Sequence, residues 1–318
     1  MLPLRVRSVT WEAQDILSFE LVDPAGAPLP AVEAGAHLDV RVPGGLMRRY
    51  SLCQAPSRRD HWRIAVLAVA GGRGGSRAMH RDVRAGQIIE VAGPHNFFPL
   101  NRQARHTVLL AGGIGITPLL AMAEQLAEDG ASWELHVCTR SAERTPFARR
   151  MTAPPFEGRV RLHHDGGDPA KGLALAGLLA EPRAGTHLYY CGPAGFMQAA
   201  KAASAHWPAG TVHFEYFGAE PAAASAGTPS GEGGTSIVLK KSGRTIPAAL
   251  DATVLQALRA AGVEIPTSCE AGVCSTCATD WLEGEPEHHD QVLDDAERAH
   301  RLLVCCARPG PRPLVLDL

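Results

Sequence analysis

The residues with the most specific chemistry lie near the C-terminus. Cys269, Cys274 and Cys277 follow the pattern C-x4-C-x2-C, and Cys305 comes later with Cys306 beside it. Thiolates at this spacing hold a 2Fe-2S cluster. The residues between them are mostly small: Ala271, Gly272, Ser275 and Thr276. A backbone wrapped around two irons must turn tightly with its N–H groups aimed inward, and glycine relaxes the steric limit on such a turn. Zinc is the rival metal, but zinc sites usually pair two short C-x2-C knuckles and only one is present. Inert thiols are the remaining alternative.

A second set of motifs suits phosphates. Thr107–Ala111 is an apolar strand that runs into Gly112-Gly113-Ile114-Gly115-Ile116-Thr117-Pro118, and Leu119, Leu120, Met122, Ala123 and Leu126 then recur at helical spacing. Small residues in such a turn let a phosphate reach the backbone, and the helix N-terminus offers unpaired N–H groups. This is not the full G-x-G-x-x-G fingerprint. Two later stretches end strands in the same way: Trp133–Cys138 leads into Thr139-Arg140, and His187–Tyr190 into Cys191-Gly192-Pro193. Open α/β sheets bind ligands at such strand ends. Nearer the N-terminus, Arg48-Arg49-Tyr50-Ser51-Leu52 puts charge, ring and hydroxyl in one strand. Gly72-Arg73-Gly74-Gly75-Ser76 could form an anion-binding nest of backbone N–H groups. The plain readings of these two are a surface strand and a hairpin.

The elements that would position these motifs fall into three segments. Up to about residue 100, short alternating strands such as His37–Val42 and Trp62–Val69, punctuated by Gly and Pro, suggest an antiparallel barrel. Strand and helix alternate in the next segment. The last has strand Ser236–Lys240, a Ser242-Gly243 turn, and a helix with Val254, Leu255, Leu258 and Ala261 that Asp251 or Thr253 can cap and Gly262 can end. With Leu314–Leu318 as a closing strand, this is a small β-grasp pattern. Residues 221–235 have almost no bulky side chain and should form a flexible linker. The expected fold is thus multidomain α/β and β: a barrel over 1–103, an α/β nucleotide-binding domain over 104–220, the linker, and a β-grasp domain over 236–318.

Composition narrows the function classes. The 318 residues are 45% hydrophobic and 20% charged, with a formal net charge of -2. This balance gives no reason to expect nucleic-acid binding. No signal-peptide pattern opens the chain and no apolar run could span a membrane, so a cytoplasmic protein is expected. There the eight cysteines stay reduced unless a metal or redox chemistry claims them. Cys53, Cys138 and Cys191 read as small buried hydrophobes. His163-His164-Asp165 and His288-His289-Asp290 invite a metal reading, but adjacent histidines in a strand face opposite sides, which favours solvated or capping roles.

Taken together and in this order, Arg48-x-Tyr50-Ser51-Leu52, Gly72–Ser76, Gly112–Pro118, Cys191-Gly192-Pro193, His213-Phe214-Glu215-x-Phe217-Gly218 and the cysteine loop resemble the phthalate dioxygenase reductase and vanillate demethylase reductase family. The resemblance covers essentially the whole chain. It implies a flavin-binding barrel, a nicotinamide domain and a plant-type ferredoxin domain in one polypeptide. FMN is the implied flavin, NADH the reductant, and a Rieske-type oxygenase the electron acceptor; a monomer is expected. NADH delivers two electrons as a hydride and the cluster accepts one, so a flavin must stand between them. By resemblance Arg48 and Gly74-Gly75-Ser76, with Gly72, hold the FMN phosphate. Tyr50, Ser51, Leu52, Ala65 and Val66 line the flavin ring, with Ser51 near its reactive nitrogen and Phe217 beside it. Gly112, Gly113, Gly115, Thr117 and Pro118 hold the dinucleotide, Thr139 and Arg140 lie along it, and Cys191, Gly192 and Pro193 border the nicotinamide. Ser51, Thr117, Cys191 and Phe217 are the expected catalytic positions. The metal ligands are Cys269, Cys274, Cys277 and Cys305, with Cys306 excluded. Arg49 departs from the motif and either adds phosphate affinity or faces solvent.

Two other functions fit parts of the pattern. One is an FAD-containing reductase serving a different acceptor; the other is a non-catalytic iron–sulfur redox sensor with vestigial nucleotide motifs. Coenzyme preference is also divided: Arg140 and Arg144 would favour a 2′-phosphate, whereas Glu143, Asp165 and Asp168 argue for NADH.

Overall fold

A computed structural model of the chain describes residues 1–70, 74–217, 234–267, 270, 272, 275–290 and 292–318. The chain divides into two compact units, Met1–Phe217 and Gly218–Leu318.

The first unit begins with β1 (Leu2–Ala13), β2 (Ile16–Val22), β3 (His37–Arg41), β4 (Met47–Ser51) and β5 (Trp62–Leu67), then helix α1 (Gly75–Asp82) and β6 (Ile88–His95). These strands form one antiparallel sheet in the order β4-β3-β6-β1-β2-β5. A bridge between Leu52 and Ile64 joins the two edges, so the sheet curls into a barrel. Alternation makes the inside: Leu4, Val6, Phe19, Leu21, Leu38, Val40, Trp62 and Ile64 are buried, and Met79 of α1 packs with them. α1 was not expected. It opens on Gly74 in the left-handed conformation, at φ 87°, in a stretch whose glycines read as loop, and its eight residues are too few for a clear periodicity.

The rest of the first unit is a parallel sheet: β7 (His106–Gly112), α2 (Ile116–Glu128), β8 (Trp133–Thr139), β9 (Val160–His164), β10 (Thr186–Gly192), α3 (Ala194–Ala203) and β11 (Val212–Tyr216). The order is β11-β10-β7-β8-β9. From β7 the chain winds outward through β8 to β9, then returns to β10 on β7's other side. This reversal leaves a crevice at the strand ends. α2 buries Leu119, Leu120, Met122 and Ala123 against Leu109, Ala111, Leu135 and Val137, and Ala13, Ile16, Cys53, Ala65 and Phe98 from the barrel side join the same cluster. That shared core is why barrel and parallel sheet form one unit.

The second unit has β12 (Gly234–Leu239), β13 (Arg244–Ala249), α4 (Val254–Ala260), β14 (Ala278–Glu283), β15 (Arg301–Leu303) and β16 (Leu314–Leu316), ordered β13-β12-β16-β14-β15. Thr253 caps α4: its hydroxyl accepts from Gln256 N while the Gln256 side chain accepts from Thr253 N. Val254, Leu255 and Leu258 pack on Ile237, Ile246 and Leu302. β12 begins at Gly234, so Gly234 and Thr235 pair with Ala249 and Ala248 inside the segment read as linker. The remainder of that segment lies outside the described residues, as do Gly72, Cys269 and Cys274.

Candidate functional site

Strand β4 runs between two environments, because alternation turns Arg48 and Arg49 to opposite faces. Arg48 lies against the start of α1: a Cβ on Gly75 would sit 2.8 Å from Arg48 Nε and 2.9 Å from its Cγ. The guanidinium is thereby held over the first turn of a helix, whose N–H groups carry partial positive charge. The Arg48 Nη1 group donates to Met47 O at 2.7 Å. Tyr50, on the same face, is largely enclosed, and its hydroxyl is buried without a partner among the described residues. Burial pushes the phenol above its ordinary pKa range. Ser76 Oγ accepts from Val69 N at 3.1 Å, tying the loop to the end of β5. Arg48, the α1 N-terminus and the unmatched Tyr50 hydroxyl fit a phosphate and a polar flavin.

Arg49 does not face solvent, one of its two expected readings. It lies 3.7 Å from Asp39 and over the Phe97 ring at 5.4 Å. Ser51, beyond it on the same face, is buried and donates to Glu215 Oε2 at 3.5 Å, from strand β11. Burial pushes the Glu215 carboxyl up to about 7, with Arg49 and Ser51 pulling the other way. Glu215 pairs in register with Cys191. Cys191 is fully buried, and burial with the nearby Glu215 charge keeps its thiol protonated. Glu215 therefore belongs to the site with Ser51 and Cys191. Its signal in the sequence was an acid between the aromatics of His213-Phe214-Glu215-Tyr216-Phe217. Phe217 follows β11 and is 41% exposed.

The ends of β7 and β10 meet through glycines. A Cβ on Gly115 would sit 2.2 Å from Cys191 O, one on Gly192 2.9 Å from Gly112 Cα, and one on Gly112 2.8 Å from Pro193 Cδ. No other residue fits Gly115 while these backbones stay in contact. Gly113 adopts φ 54°. Thr117 is buried at the start of α2 and donates to Ile114 O at 3.1 Å, with Pro118 next in the first turn. The surface so formed is backbone, with helix N–H groups above it, and a dinucleotide's phosphates suit it. Thr139 is buried at the end of β8, its hydroxyl 2.7 Å from that of Thr145, while Arg140 beside it is exposed. Of the barrel positions, Ala65 and Val66 are buried in β5, and Val66 O is 2.8 Å from His80 Nε2 of α1. Leu52 is buried in the bridge that closes the barrel.

In the second unit, Cys277 and Cys305 are buried, and hydrogen bonds from the Cys277 and Cys306 thiols hold the Cys305 thiol below its ordinary range. Cys305 is fixed by the start of α4, where Leu255 N donates to Val304 O at 2.7 Å and Val254 N to Ala307 O at 2.9 Å. Glu270, Gly272 and Ser275 take φ values of 52°, 70° and 54°. Glu270 is held by Arg259 at 2.6 Å and by Thr267 Oγ1 at 2.9 Å. Three left-handed residues beside two enclosed thiols fit a cluster site. Cys306 lies beside the same loop: its Sγ is 2.7 Å from where a Gly272 Cβ would be and donates to Leu303 O at 3.5 Å. Among the described residues no group of three or more His, Cys, Asp or Glu side chains is placed to hold a metal ion. His163 stacks on His136, His164 reaches Thr145, and His288 lies 3.6 Å from Asp290. No helix among the described residues is long and apolar enough to cross a membrane.

Comparison with known proteins agrees with this arrangement. The profile of the 2Fe-2S iron-sulfur cluster binding domain matches residues 237–310. Phthalate dioxygenase reductase of Burkholderia cepacia is 42% identical over 318 residues, covering 100% of this chain and 97% of the relative. Vanillate O-demethylase oxidoreductase of a Pseudomonas species is 42% identical over 322 residues and covers 100% of both. The solved structure of phthalate dioxygenase reductase, described as modular for electron transfer from pyridine nucleotides to [2Fe-2S], aligns with a TM-score of 0.76 at 41% identity, over 100% of this chain and 98% of that one. These matches run over the whole length of the chain, and the chain belongs to the phthalate dioxygenase reductase and vanillate O-demethylase oxidoreductase family of electron-transfer oxidoreductases.

Proposed function

We propose that this chain is the reductase component of an oxygenase system, passing electrons from NADH through FMN to a 2Fe-2S cluster and on to a Rieske-type oxygenase. The observation that carries the reading is the meeting of Ser51 from the barrel with Glu215 and Cys191 from the ends of β11 and β10. The barrel residues around Ser51 would hold the flavin, and the glycines of β7 and β10 would hold the nicotinamide nucleotide. Bound FMN would supply the conversion between one two-electron donor and single-electron acceptors. The chain's own residues then bind and orient. Arg48 and the Gly74-Gly75-Ser76 turn hold the phosphate, with Gly72 in the same loop. Tyr50, Leu52, Ala65 and Val66 would border the ring, with Phe217 beside it. Gly112, Gly113, Gly115, Thr117 and Pro118 seat the dinucleotide, with Thr139 and Arg140 at its far end and Cys191, Gly192 and Pro193 at the nicotinamide. Ser51 and Glu215 hold a hydrogen bond beside the reacting atoms, and the neutral Cys191 thiol adds bulk without charge.

Cys269, Cys274, Cys277 and Cys305 are the proposed cluster ligands. Single serine substitutions at these four should remove the visible iron–sulfur absorbance, and Cys306→Ser should spare it. A normal cluster in Cys305→Ser with loss in Cys306→Ser reverses the assignment. The decisive test of the whole is the purified protein: its spectrum, the flavin released on denaturation, and NADH oxidation coupled to a Rieske oxygenase. Release of FAD supports the reductase for another acceptor; a cluster without flavin or NADH turnover supports the sensor.

A further inference from the structure

We propose that Asp15, in the β1–β2 turn of the barrel, sets the coenzyme choice of the neighbouring parallel sheet by holding Arg144 away from the adenosine ribose, so that NADH is preferred over NADPH. This rests on the reading of the chain as a nicotinamide-dependent reductase. In sheets of this kind the residues after the second strand meet the ribose: an acid takes the 2′-hydroxyl, and an arginine accommodates a 2′-phosphate. Here that place is the end of β8, and two arginines follow it, Arg140 and Arg144. They are treated differently. Arg140 is exposed and forms no ion pair among the described residues. Arg144 Nη1 lies 3.6 Å from Asp15 Oδ2.

The barrel holds the loop as well as the side chain. Gln14 N donates to Glu143 O at 2.8 Å, and Asp15 O accepts from Ala68 N at 2.8 Å, with Asp15 itself at φ 63°. Within the loop the Thr139 and Thr145 hydroxyls both donate to Ser141 O, at 3.2 and 3.0 Å. Phe147 is buried just beyond. On the β9 side, Asp165 N donates to Thr139 O at 3.2 Å and Gly166 N to Arg140 O at 3.0 Å, which brings an acid to the end of β8. Arg140, Arg144, Glu143 and Asp165 balance one another in charge. Asp15 tips the edge to net negative and takes up one of the two guanidiniums. A dianionic 2′-phosphate meets repulsion there, whereas a 2′-hydroxyl does not.

The test uses the full-length protein with its flavin and cluster, ferricyanide as acceptor, and NADH and NADPH as donors. Wild type should prefer NADH. Asp15→Asn should lower the KM for NADPH roughly 2- to 5-fold, since an exposed ion pair restrains its partner by about that factor. The kcat and the KM for NADH should hold. Asp15→Glu should keep the wild-type ratio, and Asp15→Asn combined with Arg144→Gln should lose the gain. Calorimetry with 2′,5′-ADP against 5′-ADP reads the same preference without turnover. An unchanged NADPH KM in Asp15→Asn, or a gain that survives loss of Arg144, overturns the proposal. Wild type that oxidises neither coenzyme overturns the reductase reading itself, and the proposal with it.

Discussion

The barrel and the parallel sheet offer an anion two different things. At the barrel the offer is a side chain: Arg48, packed on Gly75 at the head of α1. At the sheet it is an absence: Gly112, Gly115 and Gly192 leave bare backbone where β7 and β10 touch. The first kind of site depends on one side-chain charge and can be weakened by degrees. The second depends on two backbones in contact, and any added atom must move a strand. Charge-built sites should therefore fail in binding, and backbone-built sites in folding.

The largest expected effect tests the second half of that contrast. Gly115→Ala puts a methyl 2.2 Å from Cys191 O, a backbone atom that cannot swing aside. It should cost on the order of 3 kcal/mol of stability, read as a lowered thermal transition. An unshifted transition would show that the strands have slack. Next, Arg48→Ala should weaken FMN roughly 10- to 100-fold, from the loss of a charge-assisted bond worth about 1.5–3 kcal/mol. Riboflavin, which lacks the phosphate, should lose little affinity in the same fluorescence titration. Equal losses would mean that Arg48 acts through the ring or the fold. A smaller effect is expected for Gly75→Ala. Its methyl meets the flexible Arg48 side chain, so the guanidinium shifts while the fold stays intact. FMN should weaken by about 3- to 10-fold with an unchanged melting temperature; a large loss of stability would place Gly75 with Gly115 instead.

Glu215 joins the two regions, and its effect should be the mildest. With its carboxyl raised from 4.5 to about 7 by burial, the folded protein keeps a proton that the unfolded chain has released. Stability from this group is therefore fully present below about 4.5 and declines as pH rises toward 7. Glu215→Gln should flatten that decline in denaturant titrations across this range and remove any inflection near neutral pH from the rate of flavin reduction. If both profiles match wild type, Glu215 does not titrate there.

The sheet was more legible than the barrel. Thr107–Ala111, the glycine turn and the Leu119–Leu126 periodicity specify a strand, a turn and a helix because each constraint is local. Strand β4 announced its chemistry but not its neighbours. Only pairing shows that Arg49 lies on Asp39 and Phe97, and only the sheet-to-barrel contact shows Glu215 beside Ser51. α1 stayed hidden because its glycine start reads as loop. In the second unit the Thr253 cap and the Gly262 stop were visible, since capping uses residues three or four apart. The hold of α4 on the segment around Cys305 was not; Leu255 N reaches Val304 O and Val254 N reaches Ala307 O, contacts that cross about fifty positions of the chain.

The hydrogen bond from Ser51 to Glu215 spans 164 positions of the chain. Closing so long a loop has an entropic cost that nothing repays until β11 is in place. Topologies rich in such distant pairs fold slowly. On a ribosome, the barrel would emerge and collapse well before Val212–Tyr216 is made, and Ser51 would wait beside an unfinished sheet. Assembly of the site is thus among the last events in the folding of the first unit, and a chain ending before β11 would hold a barrel with half of a catalytic centre.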